Sequence, residues 1–160
     1  MPQHQLLFVS LPVADLARSR AFFTQLGYPL DEDFCDEQAL CVRLGPTICA
    51  MLLRQDVFAR FHDRPAAAPG AVETLLCLSA GSRQAVDALV DRAVLAGGTD
   101  VRREDLGTVY GRSFGDLDGH VWEVVWMDPH APEGGPATAV GDRVGLGPAG
   151  VGHARDGERR

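Results

Sequence analysis

The alternation of hydrophobic and polar residues is clearest at residues 110–127, which predict two antiparallel strands joined by a tight turn. The turn is predicted at Asp118-Gly119, because a hairpin turn needs a positive φ that glycine adopts without steric cost. After the turn, alternate residues would form one apolar face: Trp122, Val124 and Trp126. The other face carries Glu123, and a carboxylate among apolar neighbours has to be paired, hydrogen-bonded or bound to a metal. Glu123 is therefore the first candidate for a functional residue, against the alternatives of an arginine partner or a solvated face.

A strand, a helix and three more strands are predicted in the first half of the chain. The apolar and β-branched content of residues 6–13 is typical of a strand. Asp15 is expected to cap a helix, which glycine at position 27 would end. Three strands are expected to follow, at residues 28–34, 39–44 and 47–53.

The second half repeats this order of elements. Residues 72–79 predict a strand, and Ser82 is expected to cap a second helix that ends before two glycines. Three strands are again expected, at residues 100–105, 109–114 and 120–127. The internal repeat predicts an α+β fold in which two βαβββ modules pair into curved mixed sheets around a central cleft.

These elements predict one domain at residues 1–128 followed by a tail. Its parts are module one at residues 6–62, a linker rich in proline and alanine at 63–71, and module two at 72–128. Residues 129–160 are rich in glycine and proline without apolar periodicity, so we expect a flexible tail.

Composition narrows the function further. The chain has 160 residues, 46% of them hydrophobic, and a net charge of −7. We expect no nucleic-acid partner, because no basic patch is available to neutralise phosphates. No apolar run is long enough to span a membrane, and no signal peptide is visible. The four cysteines show no metal-binding spacing and are expected to be reduced and packed in the core, which favours a cytoplasmic location.

Both ends of the predicted domain resemble the vicinal oxygen chelate superfamily. The segment FVSLPVADLARSRAFFTQLG, residues 8–27, is similar to the opening of its first module. The segment GRSFGDLDGHVWEV, residues 111–124, is similar to its last hairpin. The superfamily includes glyoxalase I, extradiol dioxygenases, fosfomycin-resistance enzymes and bleomycin-resistance binding proteins. The resemblance covers residues 6–128 and implies the fold and a homodimer, whereas activity has to be argued from the site.

The resemblance also implies four metal-ligand positions on inward-facing strands. Glu123 matches the last of them, but the other three fall at Phe8, Met51 and Leu75. Phenylalanine and leucine cannot coordinate a metal, and a thioether is a poor ligand for Mg, Mn, Zn or Fe(II). Because a catalytic ion needs about three protein ligands, we expect no metal cofactor.

Other polar residues are weaker candidates for ligand binding. Tyr110 and Arg112 are expected to share a strand face, where Arg112 would pair with Glu123 or bind an anionic group. Ser10 could offer a hydroxyl group to a ligand, but no base at a recognisable spacing supports nucleophilic catalysis. His120 is expected on the face opposite to Glu123.

Three functions remain open. The first is a metal-free protein that binds an apolar or aromatic small molecule in the cleft, using Phe8, Ser10, Met51, Leu75, Tyr110, Arg112 and Glu123. The second is a lyase like lactoylglutathione lyase, or a dioxygenase, in which Glu123 is a metal ligand or a general base. The third is an interaction module whose cleft is closed by its own side chains.

Overall fold

The computed structural model describes residues 4–68, 70–72 and 74–131. The first half contains β1 Leu7–Val13, α1 Leu16–Gln25, β2 Ala39–Arg43, β3 Ile48–Arg54 and α2 Gln55–Phe58. The second half contains β4 Leu75–Ser79, α3 Arg83–Leu95, β5 Thr99–Asp105, β6 Val109–Gly115 and β7 Val121–Met127. The predicted tail lies, from residue 132 onward, outside the described residues.

Two sheets carry the fold, and the three strands of the first have the same order and directions as three of the four strands of the second. In the first sheet the strand order is β1-β3-β2, with β1 parallel to β3 and β2 antiparallel to β3. In the second sheet the order is β4-β7-β6-β5, with β4 parallel to β7 and the other pairs antiparallel. In each half, the last strand thus lies beside the first strand and runs parallel to it. The predicted α+β fold with two repeated modules is confirmed.

The predicted strand at residues 28–34 is almost absent. Only Leu30 forms a bridge, to Val42, and Glu32–Phe34 is a single 3-10 turn. Proline at position 29 has no N–H to donate to a ladder, although its carbonyl accepts a hydrogen bond from the backbone N–H of Arg43 at 2.9 Å. The bridge occupies the place in the first sheet that β5 has in the second.

Both long helices begin at the predicted caps. The Asp15 carboxylate accepts a hydrogen bond from the Arg18 backbone N–H at 3.0 Å, and the Ser82 hydroxyl accepts one from Ala85 at 3.1 Å. Glycine at position 27, with φ of +93°, follows the end of α1. These local bonds satisfy N–H groups that the first turn of a helix leaves free.

Residues from both modules share one hydrophobic core. The ring of Phe23 on α1 meets Trp122 of β7 edge-on, with 5.5 Å between centroids, and Phe22 approaches Phe114 of β6 at 6.3 Å. Trp122 is also stacked beside Phe114, at 6.4 Å. One face of each sheet is therefore covered by the helices. We call the opposite face of each sheet its open face.

The predicted hairpin turn joins β6 to β7. Gly119 has a φ of +89°. The Asp116 carboxylate accepts hydrogen bonds from the backbone N–H groups of Asp118 and His120 and from the Trp122 indole, each at 3.0 Å. Burial raises the pKa of Asp116 from its ordinary value, although the same hydrogen bonds favour the ionised form. The turn is thus tied to the core through Trp122.

Removing the carboxylate of Asp105 is expected to change how stability depends on pH. Arg83 donates two hydrogen bonds to this carboxylate, at 2.6 and 2.9 Å. These bonds, followed by one from the Gly107 N–H, lower the pKa of Asp105 to about 2. The folded state thus binds this proton less tightly than the unfolded state. The ion pair stabilises above pH ~4, and its contribution is lost as the pH falls towards 2.

The prediction is checked by urea unfolding of the wild type and Asp105→Asn at pH 5 and at pH 2.5. The gap between the two free energies of unfolding should shrink at the lower pH. Asp63→Asn is the control, because the structure describes no ion pair for this linker acid. A gap for Asp105→Asn that is equal at both pH values would contradict the prediction.

Candidate ligand site on the open faces of the sheets

Glu123 lies on the open face of the second sheet, at the centre of a polar row. It is directly opposite Cys77 on β4 and Ser113 on β6, and Ser113 is opposite Arg102 on β5. Glu123 is only 8% exposed and Ser113 is also buried. A solvated face is therefore excluded as the explanation for this carboxylate. The row places a carboxylate and a hydroxyl group side by side.

Apolar side chains border this row. Leu75 of β4 lies on the same face, opposite Val121, and is 54% exposed. Cys77 is exposed as well, so its expected packing in the core is wrong. The reason is that its strand lies at the edge of the second sheet. None of the four cysteines, all of which lie in the described ranges, forms a disulfide bond.

The open face of the first sheet brings three predicted residues together. Ser10 on β1 is directly opposite Met51 on β3, and Phe8 lies two residues earlier on the same face. Phe8 is 48% exposed, Ser10 is exposed and Met51 is half-buried. Cys41 of β2 lies directly opposite Met51, and burial, together with a hydrogen bond involving Cys49, raises the pKa of its thiol to about 11. This face is therefore apolar, and its thiol at position 41 stays protonated.

Tyr110 and Arg112 share a strand face, as predicted, but it is the helix-covered face. Arg112 lies opposite Val124, whereas the opposite neighbour of Glu123 is Ser113. The hypothesis that Arg112 pairs with Glu123 is therefore wrong. Successive residues of a strand point to opposite faces, so a shift of one position separates the two charges.

Arg112 instead binds three carboxylates. Its guanidinium donates to Asp91 at 2.8 Å, to Asp100 at 2.7 Å and to Asp87 at 3.1 Å. The Tyr110 hydroxyl also donates to Asp87, at 2.6 Å. Burial by itself would lower the pKa of Arg112, but the three carboxylates outweigh it and raise that pKa. The cluster joins α3 to β5 and β6, which is a structural role.

A cavity of about 460 Å³ lies apart from the predicted residues. It is formed by the end of β1, by α2 and the residues after it, by the linker, and by the β6–β7 turn. His62 and His120 line it, and the sequence predicts neither of them as a ligand-binding residue. His62 precedes an irregular linker, whose path no local pattern predicts. The hairpin turn predicts the position of His120 in its own module. It does not predict that His120 faces the end of β1 in the other module.

The start of the chain matches the model of a known protein family. Residues 5–45 match the family model described as bleomycin resistance protein-like N-terminal. None of the curated proteins compared with the sequence matches it. Among solved structures, a hypothetical protein from S. aureus is 23% identical with a TM-score of 0.67, over 78% of this chain and 95% of that one.

Two further solved structures extend the comparison. A glyoxalase-related enzyme from Fulvimarina pelagi is 20% identical with a TM-score of 0.67, covering 82% of this chain and 94% of its own. Lactoylglutathione lyase from Agrobacterium tumefaciens is 17% identical with a TM-score of 0.61, covering 82% and 100%. The chain has the vicinal oxygen chelate fold. The resemblance predicted from its two ends is confirmed, and at these identities the solved structures bear on the fold alone.

The metal site that the vicinal oxygen chelate fold often carries does not fit this chain. Of the four equivalent positions, only Glu123 has an oxygen donor, since Phe8 and Leu75 have none and Met51 offers a thioether. Within the described ranges, no three His, Cys, Asp or Glu side chains are arranged to hold a metal ion. The donor set is therefore unsuited to a catalytic divalent ion, which needs about three protein ligands.

In the part of the chain that the structure describes, no helix is long and apolar enough to cross a membrane.

Proposed function

We propose that this chain is a small-molecule binding protein of the bleomycin-resistance type that works without a metal. The observation that carries the proposal is the chemistry of the open faces. Exposed Phe8 and Leu75 stand where metal-binding relatives would need ligands, and buried Glu123 supplies a single carboxylate. Such a surface suits an apolar or aromatic molecule with one polar group for Glu123 to bind. The match of residues 5–45 to the bleomycin-resistance family model supports this direction.

An enzyme in which Glu123 acts as a general base is the second candidate. Its support is the burial of Glu123 directly beside Ser113, because a carboxylate shielded from water is suited to proton transfer. The lactoylglutathione lyase from Agrobacterium tumefaciens shares the fold. Metal analysis of the purified chain tests the first candidate, since stoichiometric Ni, Zn, Mn or Fe would contradict its metal-free state.

We further propose a homodimer in the cytoplasm. Strands β1 and β4 lie at the edges of their sheets and carry exposed Leu7, Phe8 and Leu75. Unpaired edge strands with apolar side chains favour pairing with another chain. Size-exclusion chromatography with light scattering should give twice the mass of one chain, and a monomer at micromolar concentration would contradict the dimer. Cysteines without disulfide bonds, as the described residues show them, suit a reducing compartment.

Ligand binding should depend on the apolar residues of the open faces. A thermal-shift screen of apolar and aromatic compounds that includes bleomycin is expected to find ligands that raise the melting temperature. For such a ligand, Phe8→Ala and Leu75→Ala should each weaken binding by roughly 10- to 100-fold, because truncation removes buried contact worth about 1.5–3 kcal/mol. Glu123→Gln keeps the shape of the side chain and should weaken binding of ligands that carry an amine.

Leu95→Ala is the matched control, because Leu95 is an exposed leucine at the end of α3, outside both open faces. Isothermal titration of each variant with the same ligand checks the result. If no compound raises the melting temperature, or if Leu95→Ala weakens binding as much as Leu75→Ala, the proposed site is wrong.

A further inference from the structure

The cavity described above lies where the two modules and the linker meet. The cavity of about 460 Å³ has walls from Pro12 and Phe58 of the first module, from the linker, and from His120 and Val121 of the second. Its volume is within the range of pockets that hold small organic molecules. Pro12 ends the open face of the first sheet and Val121 begins that of the second, and Glu123 is not part of the wall. The cavity therefore adjoins the open faces but is chemically separate from them.

His62 has no hydrogen-bond partner in this wall. Both of its ring nitrogens are buried and unpaired, and its ring packs edge-on against Phe58 with 4.9 Å between centroids. A buried imidazole N–H without an acceptor is unfavourable, and native proteins rarely keep such groups without a reason. Because His62 forms part of the cavity wall, a rotation of its side chain would bring a ring nitrogen to a molecule bound there. Binding would then supply the partner that the protein does not.

The hydrogen-bonding groups around the cavity favour an anion. Arg64 lines it and makes none of the ion pairs that the structure describes. The Pro12 carbonyl can only accept a hydrogen bond, so His120 Nε2, at 2.7 Å from its oxygen, carries a hydrogen and donates it. Asp118, the acid among the described wall residues, already accepts a hydrogen bond from the Ala14 backbone N–H at 2.8 Å. The donors of Arg64 and His62 therefore face a wall whose described acid is already engaged, and the remaining wall is largely alanine, proline and valine.

We propose that this cavity binds a small organic anion, consisting of a carboxylate on an apolar body. The carboxylate lies between Arg64 and His62, where a guanidinium and an imidazole both donate hydrogen bonds to it. The apolar body packs against Phe58 and the alanines of the linker. This site does not depend on the open faces, so it stands whether or not they bind a ligand.

Titration with 2-naphthoate tests the proposal, with 2-naphthamide as a neutral compound of the same shape. Calorimetry should show one naphthoate per chain and at least 10-fold weaker binding of the amide. His62→Phe keeps the aromatic packing but removes both nitrogens, and Arg64→Met removes the charge. Each should weaken naphthoate binding about 10-fold. His62→Phe should also raise the melting temperature of the ligand-free protein, because it removes the unpaired nitrogens.

Two variants serve as controls. Arg60→Met removes a cation from the same segment. Arg60 pairs with Asp56 at 3.2 Å and is not part of the cavity wall. This change should therefore leave the affinity for naphthoate within about two-fold of the wild type. Glu123→Gln should also leave it unchanged, which separates this site from the open faces. Equal binding of naphthoate and naphthamide, absence of binding at millimolar naphthoate, or loss of binding in Glu123→Gln instead of His62→Phe would each overturn the proposal.

Discussion

Replacing Trp122 with alanine is expected to lower the free energy of unfolding by about 3–5 kcal/mol, as for other large aromatic residues in cores. The Trp122 side chain is fully buried. It contacts Phe23 of the first module and Phe114 of the second, and its indole N–H donates to Asp116 in the hairpin turn. The substitution therefore removes contacts between the modules and leaves a buried carboxylate without one of its donors.

Urea unfolding of a milder variant separates these two effects. Trp122→Phe keeps an aromatic ring in the core but loses the hydrogen bond to Asp116, so it should cost less, about 1–2 kcal/mol. Leu95→Ala, on the exposed end of α3, should change stability by no more than about 0.5 kcal/mol. If Trp122→Ala destabilises no more than Trp122→Phe, the contact between modules contributes little to stability.

The parts of the fold that the sequence predicts correctly are governed by local physics. Asp15 and Ser82 cap their helices because a cap needs only the next three residues. The hairpin at Asp118-Gly119 is predicted because its turn needs a positive φ, which Gly119 adopts. The internal repeat then predicts the same strand order in both modules, because similar local patterns form similar structural units. Residues 28–34 fail this test, since Pro29 interrupts a pattern that otherwise alternates.

The parts of the site that the sequence does not predict depend on partners far along the chain. Alternation separates Arg112 from Glu123 by one strand position, but it does not tell which of the two faces the helices cover. The covered face is determined by the packing of α3. Its Asp87 and Asp91 accept hydrogen bonds from Arg112, which lies more than 20 positions away in the sequence. The cavity around His62 is likewise closed by the linker, whose path has no periodicity from which to predict it.

The substitution Arg112→Met is expected to lower the free energy of unfolding by about 2–3 kcal/mol, near the lower end for breaking a buried ion pair. The Arg112 side chain is only 10% exposed, whereas the carboxylates of Asp87, Asp91 and Asp100 are about half exposed. Water therefore screens part of the repulsion among the three acids, which keeps the expected loss below the upper end of that range. Methionine fills a similar volume, so lost charge accounts for the effect.

A double substitution shows whether charge repulsion is the cause. In the Arg112→Met background, Asp91→Asn removes one of three like charges and should recover part of the lost stability. In the wild type, the same Asp91→Asn change should destabilise, because it removes a hydrogen-bonded partner of Arg112. A change of sign between the two backgrounds is the mark of direct coupling. Arg60→Met, in an exposed pair with Asp56, should cost less than about 1 kcal/mol in the same urea experiments. If Asp91→Asn has the same effect in both backgrounds, the guanidinium does not stabilise the fold by neutralising this cluster.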